Sequence, residues 1–146
     1  MTVIKRHIEA LKRFRDQAEE LAIDLAITEE SAEIQRMNTE QLDDGMRSDK
    51  KPIRPPYSPK YAAYKKRLGL KTNVVTLRLS GDFYKSLHPK RTAPDEMEVS
   101  SNDFKAPFLT GRYGKEVLGL NEDNIDKLAA RIQPKMEARL KAVLSI

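Results

Sequence analysis

The stretch from Met46 to Pro56 constrains this chain more than any other. Pro52, Pro55 and Pro56 each lack a backbone donor and restrict the residue before them, so the segment is neither helix interior nor central strand. It also carries Arg47, Lys50, Lys51 and Arg54. A basic, proline-rich loop of this length exceeds the usual connection within a domain, which marks it as functional or mobile. The chain divides around it into a helical N-terminal arm (1–45), the loop (46–56) and an α+β body (57–146), all within one domain.

The arm reads as amphipathic helix. Ile4, Ile8, Leu11, Phe14, Ala18, Leu21, Ala22 and Leu25 follow helical spacing, with charged residues between them. Lys12 and Asp16, and Arg15 and Glu19, are placed to pair on its solvent side. Thr28 or Ser31 is a candidate cap for a second helix carrying Ile34, Met37 and Leu42, which Gly45 ends. Whether the two helices run together is left open, since nothing between residues 25 and 34 forbids helix.

Beyond the loop, Ser58 caps a short helix with Pro59 at its first position and Gly69 just past its end. Tyr57, Tyr61, Tyr64 and Leu68 share one face, and Lys60 and Lys65 flank it. Tyrosines interleaved with lysines can stack bases and hold phosphates, as in single-strand binders. The reading favoured is a stripe packed on the domain, with hydroxyls reaching water or backbone. Val74 to Leu79 alternates, which predicts a strand. Ser80-Gly81-Asp82 ends it and starts a helical turn with Phe83, Tyr84 and Leu87. A hairpin of Leu87–Thr92 against Glu96–Ser100 turns at Ala93-Pro94-Asp95, with Met97 and Val99 inward. Lys90 or Arg91 is expected to pair with Asp82 or with the Asp95, Glu96 and Glu98 cluster.

Residues 102–121 are expected to be irregular, anchored by Phe104, Phe108, Leu109, Tyr113, Val117, Leu118 and Leu120. Asn121 then caps a final helix through Ile125, Leu128, Ala129, Ile132, Met136, Leu140, Val143 and Leu144. Pro134 interrupts that register at a cost of about 3 kcal/mol in a straight helix, so a kink or a break is expected there. The fold class is α+β: a small antiparallel sheet packed with a long N-terminal helix region and a C-terminal, proline-kinked helix.

Charge is unevenly spread. Residues 1–45 hold 6 basic and 11 acidic side chains (net −5), residues 46–92 hold 13 and 2 (net +11), and residues 93–146 hold 8 and 9 (net −1), which sum to +5. The basic third can meet nucleic acid, meet an acidic patch on a partner subunit, or simply be solvated. The residues that would face such a partner are Arg47, Lys50, Lys51, Arg54, Lys60, Lys65, Lys66 and Arg67.

Several function classes fall away. The chain has no cysteine and only His7 and His88, so thiol chemistry and cysteine- or histidine-rich metal sites are not expected. No glycine-rich phosphate loop, Gly-x-Ser-x-Gly elbow or His-Glu-x-x-His motif occurs. His7 and His88 read as ordinary surface or satisfied residues. No catalytic residue, metal, cofactor or small-molecule substrate is expected, and the chain reads as a non-enzyme. No apolar run is long enough to cross a membrane, and the first residues lack the apolar stretch of a secretory signal.

One ordered set of motifs points further. Met37-Asn38-Thr39-Glu40-Gln41-Leu42, Gly45, Pro55-Pro56-Tyr57-Ser58-Pro59, Tyr61-Ala62, Lys65, Gly69, Leu77, Ser80-Gly81-Asp82-Phe83 and Ser86-Leu87 occur in sequence, followed by Leu118-Gly119-Leu120-Asn121-Glu122-Asp123. This order resembles the phage virion-morphogenesis (tail-completion) family over about residues 34 to 144. Lys115-Glu116-Val117 and Arg112-Tyr113-Gly114 depart from the family pattern. The resemblance implies a small structural protein of the virion, made in the bacterial host cytoplasm and added at the tail end or head–tail junction, often in a ring. Its partners would be further copies of itself, other tail or connector proteins, and passively the phage DNA. The alternative is a basic nucleic-acid-binding protein.

Overall fold

The computed structural model describes residues 2–144, with side chains through residue 142. Val143 and Leu144 of the expected apolar register fall outside the described side chains. The elements run α1 (Val3–Glu29), α2 (Ser31–Asp43), α3 (Pro59–Arg67), α4 (Asp82–Lys85), β1 (Leu87–Ala93), β2 (Glu96–Ser101), α5 (Ala106–Tyr113), a 3₁₀ turn (Lys115–Val117) and α6 (Glu122–Leu144). The fold is α+β: helices at both ends around one antiparallel hairpin. β1 pairs with β2 from Leu87 opposite Ser101 to Ala93 opposite Glu96, with a bulge between Arg91 and Ala93.

The core is small and central. Leu25 and Ala26 from the end of α1, Ile34, Met37 and Leu42 from α2, Leu87 and Val99 from the hairpin, and Leu128 and Ile132 from α6 are all buried in it. Phe83 of α4 and Val117 of the 3₁₀ turn join it, as do Ile53, Val75, Leu77, Tyr84, Ala106, Tyr113 and Leu120. α2 is therefore built into the body. The free part of the arm is confined to the first turns of α1, where every residue from Val3 to Gln17 is exposed.

Several ends form as their sequences dictate. Ser58 Oγ accepts from the Tyr61 N–H at 3.2 Å, and Asn121 Oδ1 accepts from the Asn124 N–H at 2.9 Å. Gly45 (φ 72°) closes α2: its N–H donates to the Leu42 carbonyl while the Met46 N–H reaches back to Gln41. Only a left-handed residue allows that paired closure, and a Cβ here would stand 2.6 Å from the Cβ of Val74.

Other expectations are corrected. Neither Thr28 nor Ser31 caps α2; the Thr28 hydroxyl donates to the Asp24 carbonyl, and Glu30 is the single junction residue between α1 and α2. Val74 to Leu79 is not a strand. Val75, Thr76 and Leu77 are buried in succession, Leu77 is left-handed at φ 61°, and side-chain hydroxyls take the bonds a ladder would use. Ala106–Tyr113 is helix where irregular chain is expected, because Pro107 sits in the first turn, where a missing N–H costs nothing, and Gly114 closes it. Phe104 and Phe108 are exposed and anchor nothing. Arg91 pairs with Asp24 of α1 and the Pro94 carbonyl, not with the nearby acidic cluster. Arg15 lies nearest Asp16, at 3.6 Å. Of the two outcomes expected at Pro134, the break does not occur: α6 runs on through it to Leu144.

Polar groups fasten the helices. The Asn38 amide donates to the Val117 carbonyl at 3.1 Å, and its oxygen accepts from the Gly119 N–H at 2.8 Å. The Gln41 oxygen accepts from the Asn121 N–H and the Asn124 amide, so α2 holds the segment that leads into α6. The Glu30 carboxylate is fully buried and accepts from Arg131 at 2.7 Å and Lys135 at 2.6 Å. Burial would raise its pKa, but these two charged donors outweigh that and hold it below the usual carboxylate value. No helix among the described residues is long and apolar enough to cross a membrane.

Candidate functional site: a cation-lined pocket and an unpartnered arm

The eight basic residues named from the sequence do not form one surface. Arg47 bonds Asp49 at 2.5 Å and lies 3.4 Å from Glu116, and Lys50 lies 3.1 Å from Asp123. Both tie the proline-rich loop onto the chain around the start of α6. Lys65 is buried, with 1% of its surface exposed, and so cannot be a solvent-facing contact. Lys51, Arg54, Lys60, Lys66 and Arg67 remain exposed and carry no ion pair among the described residues.

The tyrosine stripe divides in the same way. Tyr57 is half-buried, whereas Tyr61, Tyr64 and Leu68 are exposed, so the expected packed stripe holds only at its first ring. Tyr61 meets Tyr57 edge to face at 5.3 Å between centroids, and Tyr64 follows at 6.1 Å. That leaves two phenols presented to solvent on the face that Lys60 borders.

Tyr57 and Lys65 form the unexpected feature. The Tyr57 oxygen accepts from the Lys65 ammonium at 2.6 Å, the Thr76 N–H at 3.0 Å and the Leu77 N–H at 3.3 Å. Lys65 also donates to the Thr76 hydroxyl at 3.3 Å and lies 4.4 Å from the centre of the Tyr57 ring. Burial alone would push the Tyr57 phenol up, yet the Lys65 and Thr76 donors hold it below its ordinary value. Lys65 has three donor hydrogens and two acceptors, both neutral hydroxyls. A buried ammonium without a carboxylate is costly and therefore uncommon.

This pair lines an open pocket of about 390 Å³ between α3 and α5. Its apolar walls include Phe83, Leu77 and Tyr113, all buried, and the exposed ring of Phe108. Ser58, Tyr61, Leu79 and Leu109 also line it, together with Arg78, Lys105 and Arg112, and the lining contains no carboxylate. Arg78 and Arg112 lie 5.8 and 5.5 Å from the rings of Tyr84 and Tyr113, placements that keep guanidinium groups extended over aromatic surface. Sequence reasoning passed over these three cations because they stand far apart in the chain. It also set Lys65 outside, since nothing local distinguishes a buried lysine from its neighbours Lys66 and Arg67.

The second candidate surface is α1. Its apolar stripe continues past the core to Leu11, Ile8 and Ile4, with 69, 45 and 72% of their surfaces exposed. Residues 3–17 carry Lys5, Arg6, Lys12, Arg13 and Arg15 against Glu9 and Asp16, whereas residues 18–45 carry one base and nine acids. The acidic N-terminal third is thus two surfaces of opposite sign. Among the described residues no three His, Asp or Glu side chains gather as a metal site. His7 is exposed and its Nδ1 lies 2.8 Å from the Val3 carbonyl oxygen; His88 Nδ1 lies 2.8 Å from that of Ser86.

Compared with known proteins, the chain matches no family model, no curated protein and no solved structure.

Proposed function

We propose that this protein is a non-catalytic structural subunit of a phage virion, joining tail or neck components through protein–protein contacts and assembling as a ring. The motif order shared with the tail-completion family motivates the virion assignment. The observation that carries the assembly reading is the free half of α1. Four turns of amphipathic helix hold Ile4, Ile8 and Leu11 in solvent. A bare apolar stripe of that length is what a helix keeps for a neighbour. Basic and acidic segments on one molecule also fit head-to-tail contact between copies, in which unlike faces meet.

Native mass spectrometry and sedimentation at low and high salt test this. Oligomers, or co-assembly with tail proteins, are expected, and Ile8→Asp with Leu11→Asp should abolish them while the monomer stays folded. A chain that stays monomeric in every condition, tail proteins included, overturns the reading.

A second reading is a nucleic-acid-binding protein. Exposed Tyr61 and Tyr64 beside Lys60, with Lys66 and Arg67 unpaired among the described residues, favour it. It requires binding of single-stranded DNA that weakens steeply with salt and is lost in Tyr61→Ala. Absence of binding at low salt removes it.

A further inference from the structure

We infer that the pocket around Tyr57 and Lys65 is a docking site for an acidic peptide segment of a partner protein, which inserts one apolar side chain and sets its flanking carboxylates on Arg78, Lys105 and Arg112. The choice of a protein as occupant rests on the assembly reading above. The preference for an anion on an apolar body does not.

Charge comes first. Four cationic side chains line the pocket and no acidic one does. Lys105 lies 3.7 Å from Asp103, outside the lining, whereas Lys65, Arg78 and Arg112 have no ion pair among the described residues. The deepest of the four, Lys65, is 1% exposed and its ammonium donates to two hydroxyls and to no carboxylate among the described residues. The Tyr57 oxygen already receives three donors, and its own proton has no acceptor among the described residues. A carboxylate at the mouth of the pocket supplies a counter-charge to Lys65, Arg78 and Arg112, which have none of their own among the described residues.

Shape comes second. The cavity is of the size that takes one or two side chains, and its walls are aromatic and aliphatic. A nucleic-acid strand needs a track of successive stacking surfaces with cations along it. The exposed cations outside the pocket, Lys51, Arg54, Lys60, Lys66 and Arg67, are not among its lining. The α1 arm of a second copy is also a poor occupant, because its exposed half is itself basic.

The test uses the intact chain and ¹H–¹⁵N NMR at low salt. The probes are a short acidic peptide with a central phenylalanine between aspartates and its isostere with asparagines in their place. The acidic peptide is expected to shift Thr76, Leu77 and Tyr113 and to bind at least about tenfold more tightly than the isostere, the ratio that charge-assisted bonds add. Lys105→Gln with Arg112→Gln should erase that preference while leaving the rest of the spectrum in place, and Lys65→Met should weaken binding of the acidic peptide. If Lys65→Met does not fold, the rim variant carries the test alone. Equal affinity for the two peptides, shifts confined to α1, or displacement of the peptide by a short oligothymidylate at lower concentration overturns the inference. A monomer that nonetheless binds the acidic peptide here defeats the assembly reading and leaves the pocket's chemistry standing.

Discussion

The two halves of α1 share one helix and one apolar period, yet they meet different fates. Leu25 and Ala26 are buried in the core, while Leu11 and Ile8, on the same stripe three and more turns earlier, stand in water. The buried half is acidic and is fastened by Asp24 to Arg91 and by Glu29 to Arg139. The free half is basic and exposed at every residue from Val3 to Gln17. Periodicity states that a face will be covered. It does not state by what, and charge is the property that separates the covering supplied by this chain from the covering left to another.

That contrast can be broken most forcefully at Leu25. Leu25→Ala removes a fully packed side chain and should cost about 2–5 kcal/mol in urea unfolding. A cost below about 1 kcal/mol would mean that this half of α1 is no better packed than the other. Adding volume makes the next largest change: Gly45→Ala is strained at positive φ and drives a methyl into Val74, and should cost about 2 kcal/mol in thermal or chemical unfolding. Full stability in this variant would show that the α2 end is looser than its geometry implies.

Glu30→Gln is expected to cost about 1–2 kcal/mol at neutral pH, less than a fully buried pair because Arg131 and Lys135 reach solvent. The folded carboxyl titrates below its unfolded value of about 4.5, so its contribution is complete above that pH and disappears as pH falls through the folded value. Stability measured against pH should therefore drop more steeply in the parent than in Glu30→Gln below about pH 4.5. Parallel curves would place the acid sensitivity elsewhere. The smallest effect sharpens the contrast: Leu11→Ala should leave monomer stability within about 0.5 kcal/mol while weakening self-association in sedimentation. A large loss of monomer stability would show that the arm folds back on its own body.

Much of the frame was legible in the chain. The caps Ser58 and Asn121, the closing glycines 45 and 69, the hairpin and the two long helices follow from local chemistry that no distant contact overrides. Val74 to Leu79 misled because alternation presupposes a neighbouring strand. Here Tyr57 and Tyr84 supply the backbone partners instead, and the chain turns left-handed at Leu77. α5 was hidden by Pro107, Gly111 and Gly114, punctuation that a short helix tolerates at its start, middle and close. The site was least legible. Lys65 goes inside because a phenol eight residues earlier and a hydroxyl eleven residues later meet it, and no short-range pattern marks that meeting. Among the eight basic residues, Arg47 and Lys50 were claimed by carboxylates, two of them far along the chain.

The anchoring of α1 carries a mechanical consequence. Its free length, Val3 to Gln17, spans about 22 Å, against about 14 Å for Leu21 to Glu29, where the body grips it. The helix is a cantilever whose overhang exceeds its clamp. Any load that a neighbour places on Ile8 is delivered, with leverage, to Leu25 and to the Glu30 clasp beyond it.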